Sequence, residues 1–136
     1  MAEVLCKRML AEKLGTSPDK LGEAGYEVLS AGVGAVGGAP ASANAIEAVQ
    51  RAGADLACHR SRPLTSDLVR QADRIWTMCR HHSDAVLRLV SEARSKVERL
   101  DPGQDIQDPA GSDIGEYAQC LERIRTALEA RSREML

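Results

Sequence analysis

Arg74-Ile75-Trp76-Thr77-Met78 is a short run of bulky and β-branched side chains, the composition of a buried strand. Just downstream, Val86, Leu89, Val90 and Ala93 recur at helical spacing, which predicts a helix with one apolar face. Residues 96–100 then offer a second, weaker strand. Helices alternating with short strands imply a parallel sheet covered on both faces. This stretch decides the fold class: α/β, a parallel sheet covered by helices.

The flanking sequence agrees. Residues 2–14 read as a helix, with Ala2, Leu5, Cys6, Met9 and Leu10 on one face, a Glu3–Lys7 pair on the other and Gly15 as the stop. Tyr26-Glu27-Val28-Leu29-Ser30 alternates like a short strand, and the glycine-rich residues 33–39 follow as loop. Pro40 and Ser42 open a helix whose inner face is Ala45, Ala48, Val49 and Ala52, closed by Gly53. Residues 54–64 read as irregular. Thr65 caps a short helix with Leu68, Val69 and Ala72 inward. Ile114, Tyr117, Leu121, Ile124 and Leu128 mark a long final helix. In a parallel sheet the working loops lie at the carboxyl ends of the strands; here those follow Ser30, Met78 and Leu100.

At 136 residues the chain is one domain's length, and its 43% hydrophobic content is ordinary. Phe is absent, and Tyr26, Trp76 and Tyr117 are the only aromatics, so the core must be aliphatic. A net charge of −2 argues against a nucleic-acid partner of the basic-patch kind. No apolar run suits a membrane span or a signal peptide, so a cytoplasmic location is expected. The cysteines Cys6, Cys58, Cys79 and Cys120 form no Cys-x-x-Cys pair. Cys58-His59 and Cys79-Arg80-His81-His82 carry metal-ligating residue types, but buried or incidental thiols are the commoner outcome. No metal and no cofactor are expected.

The stretch richest in chemistry is Asp105-Ile106-Gln107-Asp108-Pro109-Ala110-Gly111. It lies in the loop between the second strand of the opening unit and the last helix. Proline stiffens itself and the residue before it, which suits a carboxyl held at one point above a pocket. Asp105 and Asp108 are close in sequence, and mutual repulsion is expected to raise a carboxyl's pKa, as a proton donor requires. Asp101-Pro102-Gly103 has a similar composition but reads as a turn.

Several segments, in order and at matching intervals, resemble the low-molecular-weight protein-tyrosine phosphatase family. They are Ser30-Ala31-Gly32; Gly38-Ala39-Pro40-Ala41-Ser42; Gly53-Ala54-Asp55-Leu56; His59-Arg60-Ser61-Arg62-Pro63-Leu64; Ala72-Asp73-Arg74-Ile75-Trp76-Thr77-Met78 with His82; and the 105–111 loop with Tyr117 beyond it. The Asp-Ile-x-Asp-Pro-x-Gly form is similar to the bacterial branch that includes protein-arginine phosphatases. The resemblance implies a three-layer phosphotyrosine phosphatase I-like fold and a phosphoprotein substrate. It also implies phosphate monoester hydrolysis through a cysteinyl-phosphate, with Asp108 as general acid and then base. His82 reads as a local hydrogen-bonding residue at a helix start.

The family's nucleophile sits in a Cys-x5-Arg loop after its first, central strand, where backbone N–H groups and a helix N-terminus hold the phosphate and acidify the thiol. In this chain the residues six places after Cys6, Cys58, Cys79 and Cys120 are Glu12, Leu64, Ala85 and Thr126. None is arginine, so no nucleophile is assigned. The resemblance therefore implies a single domain, 1–136, incomplete at its N-terminus, lacking the first strand and the phosphate loop and inactive alone. Loss of a central strand also leads us to expect a marginally folded chain. The alternatives are a noncatalytic phosphatase-like binding protein and an arsenate reductase. The latter implies paired cysteines beyond the nucleophile, and no suitable pair is seen.

Overall fold

The computed structural model describes residues 1–34 and 37–135. Part of the expected 33–39 loop, Ala35 and Val36, lies outside them. The chain divides into two compact units: Met1–Ser30, Pro40–His59 and Pro109–Leu136 form one, and Ala31–Ala39 with Arg60–Asp108 form the other.

The first unit is helical. Helix α1 spans Ala2–Leu14, with Leu5, Leu10 and Ala11 buried. Gly15 ends it at φ 69, a left-handed backbone that glycine adopts without a Cβ clash. Helix α2, Ala43–Arg51, starts at Ser42, whose hydroxyl accepts from the Ala45 amide, and buries Ala45, Ala48 and Val49. Ala52, expected on the inner face, is the exposed C-cap. The long helix, which takes the label α5 in chain order, spans Ile114–Ala130; Asp113 caps it by accepting from the Glu116 amide. It buries Tyr117, Cys120, Leu121, Ile124, Ala127 and Leu128, a stripe at the expected spacing. Ser42 donates to the Tyr117 hydroxyl at 3.1 Å, tying α2 to α5.

Residues 26–30 are not a strand. The alternation is present: Tyr26, Val28 and Ser30 are half-buried, while Glu27 and Leu29 are exposed. What it lacks is a ladder. The Tyr26 amide donates to the Leu21 carbonyl at 3.0 Å, and the Ser30 amide donates to the Glu3 carboxylate at 2.7 Å. Tyr26 and Val28 pack instead against Leu10, Ala11 and Leu21. Alternation reports which face is buried; it does not supply the partner that makes a strand.

The second unit holds the parallel pair. Helix α3 spans Ser66–Gln71 and is capped by Thr65, which accepts from the Leu68 amide. Strand β1, Ile75–Thr77, leads into helix α4, Arg80–Leu89. A 3-10 segment, Ser91–Lys96, then leads to strand β2, Val97–Arg99. β1 and β2 are parallel, with Ile75 opposite Val97 and Thr77 opposite Arg99. The core of this unit is Val69, Val86, Val90 and Ala93, with Leu64, Ile75, Leu87 and Val97 packed against it. One inward assignment on this stretch changes. Leu89 is 42% exposed, and Ala93 is buried from the 3-10 segment, because the helix stops at Leu89 and the tighter turn re-aims the face. Segment 60–64 lies alongside Gly32 in an isolated parallel bridge, Gly32 to Pro63.

Candidate active site

Two of the three loops expected to carry function meet at the N-terminus of α4. The Leu100 amide donates to the Thr77 carbonyl at 2.7 Å, extending the ladder by one step. Asp101-Pro102-Gly103 turns as expected, with the Gly103 amide on the Asp101 carboxylate at 2.9 Å. The chain then returns to the end of β1. The Ile106 amide donates to the Met78 carbonyl at 2.8 Å, and the Cys79 thiol donates to the Ile106 carbonyl at 3.4 Å. The Ile106 side chain is 2% exposed. It is the apolar pin of an otherwise polar loop.

Asp105 acts differently from expectation. Its Oδ1 accepts from the Arg80 amide and from Arg99 Nη1, each at 3.1 Å. Arg99 also donates to the Pro102 carbonyl at 2.8 Å. The expected mutual raising by Asp108 does not govern Asp105. The Arg99 hydrogen bond, helped by the Arg80 amide and both guanidinium charges, holds its carboxyl below the ordinary value. Cys79, the N-cap residue, makes no side-chain cap bond; Asp105 satisfies the first amide of α4 from outside the helix, where a negative charge meets the dipole favourably.

Asp108 is exposed and stands two residues beyond the Ile106 pin, with Pro109 after it. It is near enough for its charge to act on Cys79 and His82. Burial pushes the Cys79 thiol up, and the Asp105 and Asp108 charges add to that. Burial and His81 push His82 down, against the opposing pull of the same two carboxylates. The His82 amide bonds to the Cys79 carbonyl at 3.1 Å, as befits the first turn of a helix. Cys79 is thus a protonated, buried thiol, a poor nucleophile at neutral pH. Cys6 is poorer: burial pushes its thiol up to about 11.

The third loop, after Ser30, is anchored elsewhere in its own unit. The Gly32 amide donates to the Arg62 carbonyl, and the Leu64 amide to the Gly32 carbonyl, both at 3.0 Å. Ser30 itself is held by Glu3, which accepts from its amide at 2.7 Å and its hydroxyl at 3.0 Å. Lys7 lies at 3.2 Å from Glu3 and His59 Nδ1 at 3.8 Å. Burial pushes the Glu3 carboxyl up, but Lys7 and Ser30 together outweigh it and leave the group below its ordinary value. Sequence reasoning placed Glu3 on a polar helix face with Lys7. It missed that the same carboxylate holds Ser30, because that contact spans 27 residues.

Residues 1–135 match the low molecular weight phosphotyrosine protein phosphatase family. The chain belongs to that family. Among its relatives is the probable low molecular weight protein-tyrosine-phosphatase EpsP of Ralstonia nicotianae, 32% identical over 108 residues, 78% of this chain and 74% of that one. An arsenate reductase of Brevibacillus brevis is 34% identical over 126 residues, 93% of this chain and 82% of the relative. Among solved structures, a mutant of YwlE from Bacillus subtilis, a protein described as an arginine phosphatase, superposes with a TM-score of 0.82 at 29% identity. That superposition covers 98% of this chain and 87% of the other. The family's helix-flanked α/β fold is therefore the fold of this protein. No helix among the described residues is long and apolar enough to cross a membrane.

Proposed function

We propose that residues 1–136 are the acid-bearing part of a protein phosphatase acting on phosphotyrosine or phosphoarginine, with Asp108 as its general acid and base. The observation that carries this is the pinning of the 105–108 segment. Ile106 is buried and bonded to Met78, Asp105 is bonded to Arg80 and Arg99, and Asp108 follows as the exposed carboxyl. A general acid must sit at a fixed point within hydrogen-bond reach of the leaving atom, and two anchors just before it supply that.

In the reaction, a cysteine thiolate attacks phosphorus and the bond to the leaving oxygen or nitrogen breaks. Asp108 gives its proton to that leaving atom. Water then attacks the cysteinyl-phosphate, Asp108 takes a proton from that water, the sulfur–phosphorus bond breaks, and phosphate departs with the thiolate restored. No cysteine in this sequence is followed six residues later by arginine, so in this reading the 136 residues alone have no turnover. The same observation favours the second reading, a noncatalytic phosphoprotein-binding relative. Similarity to arsenate reductases adds a third oxyanion chemistry, disfavoured by the lack of a suitable cysteine pair in the sequence.

A chimera tests the proposal. The first strand and Cys-x5-Arg loop of an active relative are joined ahead of Met1, and hydrolysis of an aryl phosphate is followed. The chain alone is expected to be inert and the chimera active, with Asp108→Asn lowering kcat by about 10²–10⁴-fold. A folded, active chimera indifferent to Asp108→Asn refutes the role. A folded but inert chimera that still binds phosphotyrosine or phosphoarginine peptides supports the noncatalytic reading.

A further inference from the structure

Cys79, His81 and His82 bring one thiol and two imidazoles to the start of α4. Their ligand atoms all lie within 4.8 Å of one another, the one such grouping of metal-ligating side chains among the described residues. The two imidazole rings are 4.3 Å apart, centroid to centroid. Nothing in the reaction above uses these three side chains together.

A zinc ion with a thiolate at about 2.3 Å and imidazoles at about 2.0–2.1 Å, arranged tetrahedrally, sets its donors roughly 3.3–3.6 Å apart. The cluster is slightly wider than that. His81 is exposed, so its ring can turn to close the gap without disturbing packing. Cys79 is buried and His82 half-buried, so the other two ligands are already placed by the helix start. Asp105 and Asp108 both act on Cys79 and His82; Asp105 is itself paired with Arg99 and feels the Arg80 charge as well. One sulfur and two imidazole nitrogens are a donor set for zinc and similar borderline cations, not for magnesium or calcium.

We propose that Cys79 Sγ with the imidazoles of His81 and His82 forms a three-ligand site for Zn²⁺ or a similar borderline divalent cation, a water completing the tetrahedron. Binding forms the sulfur–metal bond and breaks the S–H bond, the proton passing to solvent; no electrons are transferred. The thiol's hydrogen bond to the Ile106 carbonyl is lost in the same step, while the Ile106 amide stays on Met78. The cation therefore releases one of the two hydrogen bonds made by the Ile106 backbone, while the Asp105 bonds to Arg80 and Arg99 stay. The site itself is independent of the phosphatase reading; only that consequence rests on it.

Cobalt(II) is the probe, added to the reduced full chain. Expected is a thiolate-to-cobalt charge-transfer band that saturates at one equivalent and is bleached by Zn²⁺. Cys79→Ser abolishes it, and His81→Ala weakens binding at least about 10-fold, the scale on which even outer partners of a metal site act. Cys58→Ser, removing the exposed thiol, leaves the titration unchanged. No band in the wild-type chain, a band that survives Cys79→Ser, or one lost in Cys58→Ser overturns the proposal. Should Cys79→Ser unfold by circular dichroism, His81→Ala decides, since its side chain is exposed; unchanged affinity there overturns the site.

Discussion

Replacing Ile106 by alanine isolates the pin of the 105–108 segment. Alanine keeps the N–H that donates to Met78 at 2.8 Å and the carbonyl that accepts from Cys79 at 3.4 Å, so only side-chain burial is removed. Three carbons leave a site that is 2% exposed. At about 0.8 kcal/mol for each buried carbon, the transfer part is about 2.4 kcal/mol. A cavity contribution comes on top, so the expected loss lies within about 2–5 kcal/mol. Against a domain stability of about 5–15 kcal/mol this is large. Ile106→Val removes one carbon and is expected to cost about 0.5–1.5 kcal/mol. Urea unfolding measures both. With an m-value of about 1.5 kcal/mol per molar, a loss of about 3 kcal/mol moves the midpoint down by about 2 M. Limited proteolysis provides the local readout, with faster cleavage expected at residues 101–104 in the alanine variant. An alanine variant within about 0.5 kcal/mol of wild type, or a valine variant as damaged as alanine, refutes the claim that this side chain anchors the loop.

Gly15→Ala forces a Cβ into the left-handed C-cap of α1, where open space surrounds it but φ is +69; the expected cost is about 1–2 kcal/mol in the same urea assay. Glu3 has a depressed carboxyl, so its contribution is present above its unfolded value near 4.5 and is lost as pH falls through the lower folded value. Glu3→Gln is therefore expected to lower stability at neutral pH and to flatten the loss of stability below pH 4.5; an unchanged acid limb counts against the Ser30 clamp. Thiol labelling at pH 8 should modify exposed Cys58 first and leave Cys6, with its thiol pushed up to about 11, among the slow sites. Mass mapping that finds Cys6 modified as fast as Cys58 contradicts the burial argument.

Period and punctuation carried most of the fold. α1 ends at Gly15, α2 starts after Ser42 and α3 after Thr65, each where the residue chemistry placed it. The β1–α4–β2 unit was legible because strand and helix periods alternate within it. What failed were features depending on distant partners. Tyr26-Glu27-Val28-Leu29-Ser30 has a strand's pattern, but its terminal amides bond to Leu21 and Glu3. Asp105 looked like a repulsive neighbour of Asp108, yet Arg99 and the Arg80 amide, 6 and 25 residues away in sequence, convert it into an anchor. Nothing local distinguishes a carboxyl that repels from one already neutralised. Cys79 at the N-cap was a missed signal: a residue that caps poorly invites a cap from elsewhere, and Asp105 fills that place.

The short tether between residues 106 and 108 divides the loop into parts with opposite tolerance. Residues 102–105 are exposed, so an insertion beyond the Pro102 carbonyl that Arg99 holds lengthens a detour that still returns to Met78. From Ile106 onward, the leash is two peptide units. One extra residue at that point rotates the carboxyl away from wherever its partner waits, however sound the fold beneath it.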